Sequence, residues 1–398
     1  MTPIIYLSTF FPPRCLDILQ YNMKSAANLS ASAFSYSLLM GLVANNRDNL
    51  SVINTPLTGP YPIDYKKYSS SGIITNEYGI DVQSIGMCNF YGIQGISISR
   101  RLVRAIKKIS DGKADIIVYS IQLPILRAAV IYKKQNPGSR IFLVVPDLFE
   151  DLGGNSHIKK AIKSLLFGDY NKLCQDVDAY VLLTPLMIER MSVRRPYCVV
   201  EGIYNPSEKR QAVEGKNGFT ILYTGMLYEK FGVKNLIDAV HSLEEKDVKL
   251  KLCGSGELVD YINSINDTRI EYLGIVPREK VLQMQSEASL LINPRQPNGG
   301  FTRYSFPSKN IEYLASGTPT LIYELEGIPS EYFDYCYHLS EKERSVEDLR
   351  RMIEDIYMTP EKERTELASK AKEFILAEKN APAQAKKIID FINGLCKH

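Results

Sequence analysis

The stretch FTRYSFPSKNIEYLASGTP, residues 301–319, places polar groups at the start of a short apolar helix. Pro307 suits the first helical turn, where the backbone N–H groups of Ser308 and Lys309 have no acceptor inside the helix. Such a helix start carries partial positive charge, so the pattern predicts a phosphate site. Glu312 follows one turn later, where a carboxylate can accept two hydrogen bonds from a ribose diol. The alternative is a capped core helix with Glu312 in a surface ion pair.

A basic residue in a glycine-containing loop is a second candidate for phosphate chemistry. In ILYTGMLYEKFGVKN, residues 221–235, a strand runs into a turn at Gly225, and Lys230 follows before Gly232 opens a helix. Beside the carboxyl end of a strand, Lys230 can neutralise a diphosphate as a point charge. A solvated loop lysine is the alternative.

Two further glycine turns are candidates for nucleotide contacts. In LKLCGSGEL, residues 250–258, the third glycine of a dinucleotide fingerprint is missing because Val259 occupies its position. We therefore do not expect bound NAD. The turn from Gly274 through Ile275 to Val276 follows another strand, and its exposed backbone can hydrogen-bond the edge of a base. A plain turn between strand and helix is the alternative.

Small and polar residues in the first half are candidates for contacts with a second substrate. Asp147 lies just past one strand, while Ser120 and Gln122 follow the neighbouring strand. Ser30 and Ala31 belong to a small-residue entry into a helix. Because ligands bind outside the carboxyl ends of parallel strands, we expect these residues to face a cleft and bind an acceptor. A structural role for Asp147 in capping the next turn is the alternative.

The elements that position these residues are short strands alternating with helical patterns. Most strands are continuous apolar runs, which is typical of parallel sheets covered by helices on both faces. Two βαβ sets are separated by the polar stretch 201–218. The sequence thus predicts the α/β class, with two doubly wound Rossmann-like domains facing a cleft. The predicted domains are 1–202 and 203–375, followed by a helix at 376–398 that docks toward the first domain.

Composition limits the class of protein. A net charge of +3 over 398 residues is too small to indicate nucleic-acid binding. The seven cysteines lack CxxC spacing, which favours reduced thiols in a cytoplasm, and the four histidines form no ligand pair, so we expect no metal site. No apolar run approaches the roughly 18 residues that span a bilayer. The basic patterns at 99–110 and 157–167 predict either helices on an anionic membrane surface or ordinary sheet-covering helices.

Taken together, these segments resemble the family-4 retaining glycosyltransferases of the GT-B architecture, in particular bacterial members that assemble polysaccharides. The resemblance is densest from 219 to 332. It implies a UDP- or GDP-linked sugar as co-substrate without another cofactor, and a saccharide or polyprenyl-linked glycan as acceptor. It also implies that 1–202 binds the acceptor and 203–375 binds the donor. The reduced thiols favour a cytoplasmic protein, and the basic helices leave peripheral attachment to the inner face of the plasma membrane as one alternative.

Residue roles carry over from the same resemblance. Lys230 would contact the diphosphate as a catalytic charge, and Asp147 lies near a sugar-contacting catalytic position. Glu312 would hold the ribose. The donor-binding residues implied in full are Gly225, Gly274, Ile275, Val276, Tyr304, Ser305, Phe306, Ser308, Lys309 and Glu312.

The sequence also departs from the family pattern. Tyr304 occupies the position of the first of two motif glutamates, and Met226 replaces a basic residue after the Gly225 turn. Small residues near Ser30 and Ala31 stand where the family has a glycine pair. The losses at 226 and 304 put full neutralisation of a diphosphate and the sugar contacts in question.

Arg295 and Arg303 are candidates for the missing charge. Breaking the bond between a sugar and a nucleoside diphosphate places negative charge on the leaving phosphate, which fixed cations stabilise. The resemblance implies retention, with the leaving phosphate taking the acceptor's proton. A sugar-nucleotide epimerase of the same architecture, or a non-catalytic partner subunit with a decayed donor site, are the alternative functions.

Overall fold

The computed structural model describes residues 2–24, 29–120, 122–148, 157–205, 218–297, 300 and 302–395, with the backbone alone at 29–31 and 157–165. Contacts divide the chain into two compact units. Unit 1 comprises Met1–Ile203 and Ala381–His398, and unit 2 comprises Tyr204–Asn380. The sequence placed the boundaries after residues 202 and 375. Most of the predicted linker, 206–217, lies outside the described residues.

Unit 1 is built on a large mixed sheet. Its strands are β1 Ile4–Ser8, β2 Leu50–Asn54, β3 Ser69–Ser70, β4 Ile73–Glu77, β5 Ile80–Ser84, β6 Met87–Cys88, β7 Asp115–Tyr119, β8 Arg140–Val145, β9 Ala179–Leu182 and β10 Tyr197–Val199. The order across the sheet is β10-β9-β8-β7-β1-β2-β5-β4, while β3 and β6 form a separate antiparallel ribbon. Within the described part of the eight-stranded sheet, only β4 runs antiparallel to its neighbour. The unit's first five helices are α1 Leu16–Asn22, α2 Leu29–Asn46, α3 Gln94–Ile109, α4 Leu123–Gln135 and α5 His157–Cys174.

The four strands β3 to β6 were not predicted from the sequence. Strands β1 and β7 are continuous apolar runs in which every residue is buried, and the sequence reveals them for that reason. Strand β4 instead buries only alternate residues, because it lies at the sheet edge with one face in water. Its sequence, IITNE, therefore lacks the apolar run that marks the central strands.

Unit 2 contains a wholly parallel sheet. Its strands are β11 Phe219–Met226, β12 Val248–Ser255, β13 Ile270–Gly274, β14 Leu290–Asn293, β15 Thr320–Tyr323 and β16 Tyr337–Leu339. The helices are α6 Val233–His241, α7 Val259–Ser264, α8 Arg278–Glu287, α9 Ser308–Leu314, α10 Val346–Met358 and α11 Glu361–Glu378. The strands lie in the order β13-β12-β11-β14-β15-β16. Successive strands are added on one side of β11 as far as β13, and on its other side from β14 onwards, so the order of connection reverses between β11 and β14. Such a reversal opens a crevice at the carboxyl ends of the strands, where ligands bind in sheets of this kind.

The last helix, α12 Ala381–Gly394, follows α11 and belongs to unit 1. Its Ala385, Ile388 and Ile392 are buried in the apolar core of that unit, which also contains Leu38 and Leu42 of α2. The predicted boundary at 375 falls inside α11, so the helical tail begins later than the sequence indicated. The predicted α/β class with two Rossmann-like domains is confirmed.

The basic helix α3 covers the sheet of unit 1. Leu102 and Ile106 are fully buried, whereas Arg100, Arg104 and Lys107 are exposed. The apolar face is thus used in the core, and only the basic face remains for an anionic surface. The side chains at 157–165 of the second basic pattern lie outside the described residues. Among the described helices, none is both long enough and apolar enough to cross a membrane.

Candidate functional site

Two depressions lie at the carboxyl edge of the unit 2 sheet, and they share Lys309. The first depression has a volume of about 250 Å³ and is lined by Thr224, Gly225, Cys253, Gly254, Ile275, Val276, Arg278, Val281, Lys309 and Glu312. The second also has a volume of about 250 Å³ and is lined by Tyr223, Met226, Phe231, Asn293, Arg295, Phe306, Pro307, Ser308 and Lys309. Their position matches the strand reversal between β11 and β14, where a ligand crevice is expected.

Glycines at the ends of β11 and β12 provide the space for the first depression. Gly225 and Gly254 are register partners with φ values of 151° and 142°. A Cβ atom on Gly254 would lie 1.7 Å from the carbonyl oxygen of Gly225, and one on Gly225 would lie 2.5 Å from Cε of Lys309. The two strand ends can approach each other, and Lys309 can reach between the depressions, only because neither position carries a side chain.

Lys309 supplies a half-buried cation at the first turn of α9. Burial lowers the pKa of its ammonium group, and the carboxylate of Glu312 acts in the opposite direction. Removing a cation from water costs free energy, and the favourable interaction with an anionic ligand can offset that cost. Lys309 thus lies where it can meet an anion in either depression.

Glu312 lines the first depression with 17% of its side chain exposed. Its Oε2 lies 2.5 Å from Nη1 of Arg278, and its Oε1 accepts a hydrogen bond of 2.5 Å from Gln285. Burial disfavours the ionised form, but Arg278, Gln285 and Lys309 together lower the pKa of Glu312 below its ordinary value. The ion pair expected as the alternative is therefore present, on a carboxylate that also faces the depression.

Hydrogen bonds from buried side chains fix the direction of α9. The Tyr313 hydroxyl accepts a hydrogen bond of 2.9 Å from the backbone N–H of Thr224 on β11. Asn293 of β14 donates one of 2.6 Å to the side-chain oxygen of Asn310. Tyr313 and Asn310 are fully buried, so α9 is tied to both strands that flank the reversal. Sequence reasoning missed these residues, although a tyrosine on the apolar face of a helix signals a buried hydroxyl that needs a partner.

Arg295 lines the second depression as a cation beside Lys309. It follows β14, is half-buried, and donates a hydrogen bond of 2.6 Å to the Ser305 hydroxyl. Burial lowers the pKa of its guanidinium to about 10, slightly opposed by Tyr223. Arg303, the other sequence candidate, instead pairs with Glu326 at 3.3 Å and does not line either depression.

Lys230 lies close to the second depression without lining it. Its side chain is exposed, and its Nζ is 5.1 Å from the ring centroid of Phe231. The guanidinium of Arg295 is 6.0 Å from the same ring. Phe231 therefore brings an exposed and a half-buried cation into one neighbourhood. The sequence offered no reason to single out Phe231, which stands beside the predicted lysine.

The remaining donor-side residues surround the same edge of the sheet. Gly274 adopts φ 68°, which favours glycine, and directs the chain to Ile275, whose side chain is 82% exposed. Phe306 is buried against Tyr332, with ring centroids 5.3 Å apart. Tyr304 is half-buried and lines neither depression, and its ring centroid lies 5.8 Å from the Arg303 guanidinium.

The acceptor-side candidates lie in unit 1, at the carboxyl ends of β7 and β8. Ser120 has φ 72°, an unusual conformation for a serine, and its N–H donates to the carbonyl of Val144 at 3.0 Å. Gln122 is half-buried at the start of α4, and Asp147 is exposed. The pKa of Tyr119 is raised by burial and, to a lesser extent, by the charge of Asp147. The backbone of Ser30 and Ala31 belongs to α2, but their side chains lie outside the described residues.

The arrangement in unit 2 has a defined chemical capacity. Two partly desolvated cations and the start of α9 can hold an anion of more than one charge, and an ionised carboxylate nearby can accept hydrogen bonds from a diol. Within the described ranges, no group of three or more His, Cys, Asp or Glu side chains is arranged to hold a metal ion.

Comparison with known proteins relates this site to a family. Residues 205–374 match the family model described as glycosyl transferases group 1, and this range lies wholly within unit 2. No curated protein matches the chain by sequence.

Solved structures resemble the whole chain. Sucrose-phosphate synthase from Thermosynechococcus elongatus is 14% identical with a TM-score of 0.64, and 99% of each chain is covered. HepE from Anabaena in complex with UDP is 12% identical with a TM-score of 0.63, covering 99% of this chain and 100% of that one. The E. coli trehalose-6-phosphate protein bound with UDP-2-fluoro glucose is 9% identical with a TM-score of 0.65, and 98% of each chain is covered. At these identities the likeness concerns the fold, which is the GT-B fold predicted from the sequence.

Proposed function

We propose that the protein is a retaining glycosyltransferase that moves a sugar from a nucleoside-diphosphate donor to a saccharide or lipid-linked saccharide in bacterial surface polysaccharide assembly. The observation that carries this proposal is the grouping of Lys309, Arg295 and Glu312 around two joined depressions at the strand reversal. The match of this unit to the glycosyl transferases group 1 model supports the same function.

The first depression is the proposed nucleoside site. The backbone from Gly274 to Val276 offers hydrogen bonds to a base edge, and Glu312 accepts two from the ribose diol. Each carboxylate oxygen has two acceptor sites, so Glu312 can accept from the diol while its contacts with Arg278 and Gln285 persist. UDP and GDP are the proposed carriers, and the UDP bound in HepE and the UDP-2-fluoro glucose in the E. coli relative support a UDP-linked donor.

The second depression is the proposed diphosphate site. Burial lowers the pKa values of Lys309 and Arg295, because it destabilises their charged forms. An anion bound between the two side chains would stabilise those charged forms and offset the cost of desolvation. The backbone N–H groups of Ser308 and Lys309 add the partial charge of the helix start, worth roughly 0.3–2 kcal/mol. Lys230 is the proposed exposed cation at the edge of this site. Arg295 thus supplies charge that Met226 lacks.

The proposed reaction follows from where charge develops. As the bond between sugar and phosphate breaks, negative charge grows on the leaving diphosphate, and cations already held in place stabilise it without reorganising. In a retaining transfer by this route, the leaving phosphate oxygen takes the acceptor's proton, so no side-chain nucleophile is required. The proposal needs no cofactor beyond the nucleotide sugar.

Acceptor binding is proposed for unit 1. Asp147, Ser120 and Gln122 lie at the carboxyl edge of its sheet, where sheets of this class bind ligands. Ser30 and Ala31 are proposed to contribute through α2. Peripheral attachment to the inner face of the plasma membrane is proposed through the exposed basic face of α3.

Product analysis tests the function. The full chain is incubated with UDP- and GDP-sugars and candidate acceptors, and mass spectrometry measures the glycosylated acceptor while NMR measures its anomeric configuration. A transferred sugar with the donor's configuration is expected. An isomerised nucleotide sugar without transfer would establish the epimerase alternative instead, and binding without either product would indicate the non-catalytic subunit.

A further inference from the structure

Unit 1 contains a cavity of about 350 Å³ that none of the roles above uses; we call it the α1 cavity. It lies past the carboxyl ends of β2 and β5, between α1 and the β3–β6 ribbon, and its lining includes Ser84, Ile85 and Met87. Ligands in open α/β sheets bind at this edge of the sheet. Its volume falls within the roughly 300–1,000 Å³ range of small-molecule sites.

The buried lining of the α1 cavity is mainly apolar but includes the polar side chains of Asn22, Thr58 and Ser84, and its exposed lining is mostly polar. Leu19, Ile85 and Met87 are buried lining residues, while Ser69, Ser71 and Lys67 are exposed ones. Burial and, to a lesser extent, the charge of Glu77 raise the pKa of the Cys15 thiol, so this lining residue stays neutral. Among the described residues that line the cavity, none carries a carboxylate. The mouth therefore offers hydroxyl groups and one positive charge above an interior that is mainly apolar.

The surface beside the mouth is also apolar and basic. Ile18 and Tyr21 lie one turn apart on α1, with 60% and 75% of each side chain exposed, and Ile18 also lines the cavity. Lys66 lies over the ring of Tyr21, with its Nζ 4.7 Å from the centroid. Tyr68, beside Lys67, is 66% exposed. Exposed apolar side chains grouped around a cavity mark a binding surface rather than scattered exposure.

We infer that the α1 cavity binds the apolar chain of an anionic amphiphile, with the head group at Lys67 and the serine hydroxyls of the mouth. A lipid chain removes apolar lining from water, and each methylene that it buries strengthens binding. A single lysine without a lining carboxylate favours a negative head group over a neutral or cationic one. That this amphiphile is the acceptor rests on the proposed function, whereas its binding does not.

A pair of adjacent residues on β4 provides matched variants. Ile73 lines the cavity, whereas Ile74 points to the other face of the strand and is 68% exposed. Ile73→Trp therefore fills the cavity, and Ile74→Trp adds the same side chain outside it. Because the chain contains no tryptophan, emission reports each new side chain alone. The tryptophan of Ile73→Trp should emit at shorter wavelength than that of Ile74→Trp, because it is buried in the cavity. This difference, together with equal melting temperatures, would show that both variants fold and that only the first fills the cavity.

The experiment measures binding of monomeric decyl phosphate to the full chain by calorimetry without nucleotide. The wild type should bind one molecule, Ile74→Trp should bind it within twofold of the wild type, and Ile73→Trp should bind it at least tenfold more weakly. Because no nucleotide is present, failure here leaves the transferase proposal intact, and failure of transfer leaves this binding intact.

Lys67→Gln tests the head group at an exposed position where folding is not at risk. The variant should bind decyl phosphate at least threefold more weakly than the wild type, and its affinity for neutral decyl glucoside should be unchanged. Equal affinity of Ile73→Trp and Ile74→Trp, or absence of decyl phosphate binding to the wild type, would overturn the assignment of the cavity. Unchanged decyl phosphate affinity in Lys67→Gln would overturn the assignment of the head group.

Discussion

The carboxyl edges of the two sheets differ in what they present to a ligand. In unit 2 that edge carries half-buried cations at Lys309 and Arg295 and an ionised carboxylate at Glu312, held around a gap made by glycines. In unit 1 it carries an exposed Asp147, a strained Ser120 and an apolar cavity. Binding a charged diphosphate imposes strict demands on charge and backbone geometry, whereas an acceptor site varies with its acceptor. The family model matches 205–374, which lies within unit 2.

The largest expected effect concerns the glycine gap of unit 2. Gly254→Ala combines an unfavourable φ, costing about 1–3 kcal/mol, with a Cβ 1.7 Å from the Gly225 oxygen, which adds about 1–3 kcal/mol of overpacking. The free energy of unfolding, measured by urea denaturation, should fall by the sum of these two costs.

Gly92 of unit 1 is the matched control, since its φ is also positive at 86° but no atom lies within 4 Å of the added Cβ. Gly92→Ala should cost only about 1–2 kcal/mol. Equal losses for the two variants would show that close approach of strand ends does not shape the unit 2 site.

The next largest effect concerns the two cations. Arg295→Met and Lys309→Met should each weaken UDP binding by about 10- to 100-fold, as expected for loss of a charged contact worth about 1.5–3 kcal/mol. The melting temperature without nucleotide serves as the control for folding, because each variant also loses a contact within the protein, Arg295 with Ser305 and Lys309 with Glu312. Calorimetry and circular dichroism measure the two quantities.

Lys251→Met is the control for general charge, since Lys251 is half-exposed on β12 and lines neither depression. Its UDP affinity should match the wild type. A lower melting temperature in Arg295→Met with unchanged UDP affinity would give this residue a structural role only.

A smaller effect is expected at Glu312. Glu312→Gln should weaken UDP binding about tenfold and reduce the preference for UDP over 2′-deoxy-UDP. The reason is that an amide accepts hydrogen bonds from the ribose less strongly than a carboxylate does. The lowered pKa keeps the wild-type carboxylate ionised, so the ratio of wild-type to variant affinity should stay constant from about pH 8 to about pH 5 and decline as the pH falls through that pKa. A ratio that already declines above about pH 6 would contradict the ionised carboxylate.

The smallest effect on donor binding is expected from unit 1. Asp147→Asn and Ser120→Ala should leave UDP affinity within about twofold of the wild type while lowering kcat/KM for the acceptor about tenfold or more. Asp111→Asn, an exposed change in the same unit, is the control and should alter neither quantity. A large loss of UDP affinity in Asp147→Asn would contradict the proposal that unit 1 binds the acceptor and unit 2 binds the donor.

The parts of the site that sequence reasoning located are those encoded within a few neighbouring residues. Glycine turns, the proline that begins α9 and the one-turn spacing to Glu312 are local patterns, and they identified Gly225, Lys309 and Glu312, which the structure places together. The continuous apolar strands revealed both Rossmann-like sheets for the same reason.

The parts that it missed depend on partners far apart in the chain. Tyr313 meets Thr224 across 89 residues, and Glu312 meets Arg278 from another helix. The sequence favoured Lys230 for its loop position, but Arg295 is the half-buried residue that lines the second depression together with Lys309. Burial is a property of the assembled sheet, so no local pattern reveals it.

Thermal unfolding of the full chain with nucleotides tests the central claim most directly. UDP or GDP at about 100 times its dissociation constant should stabilise the protein by about 2.7 kcal/mol, and UMP at the same concentration should stabilise it less. The double variant Arg295→Met with Lys309→Met should lose this response. If no nucleoside diphosphate raises the melting temperature, or if the double variant responds as the wild type does, these cations do not hold a diphosphate.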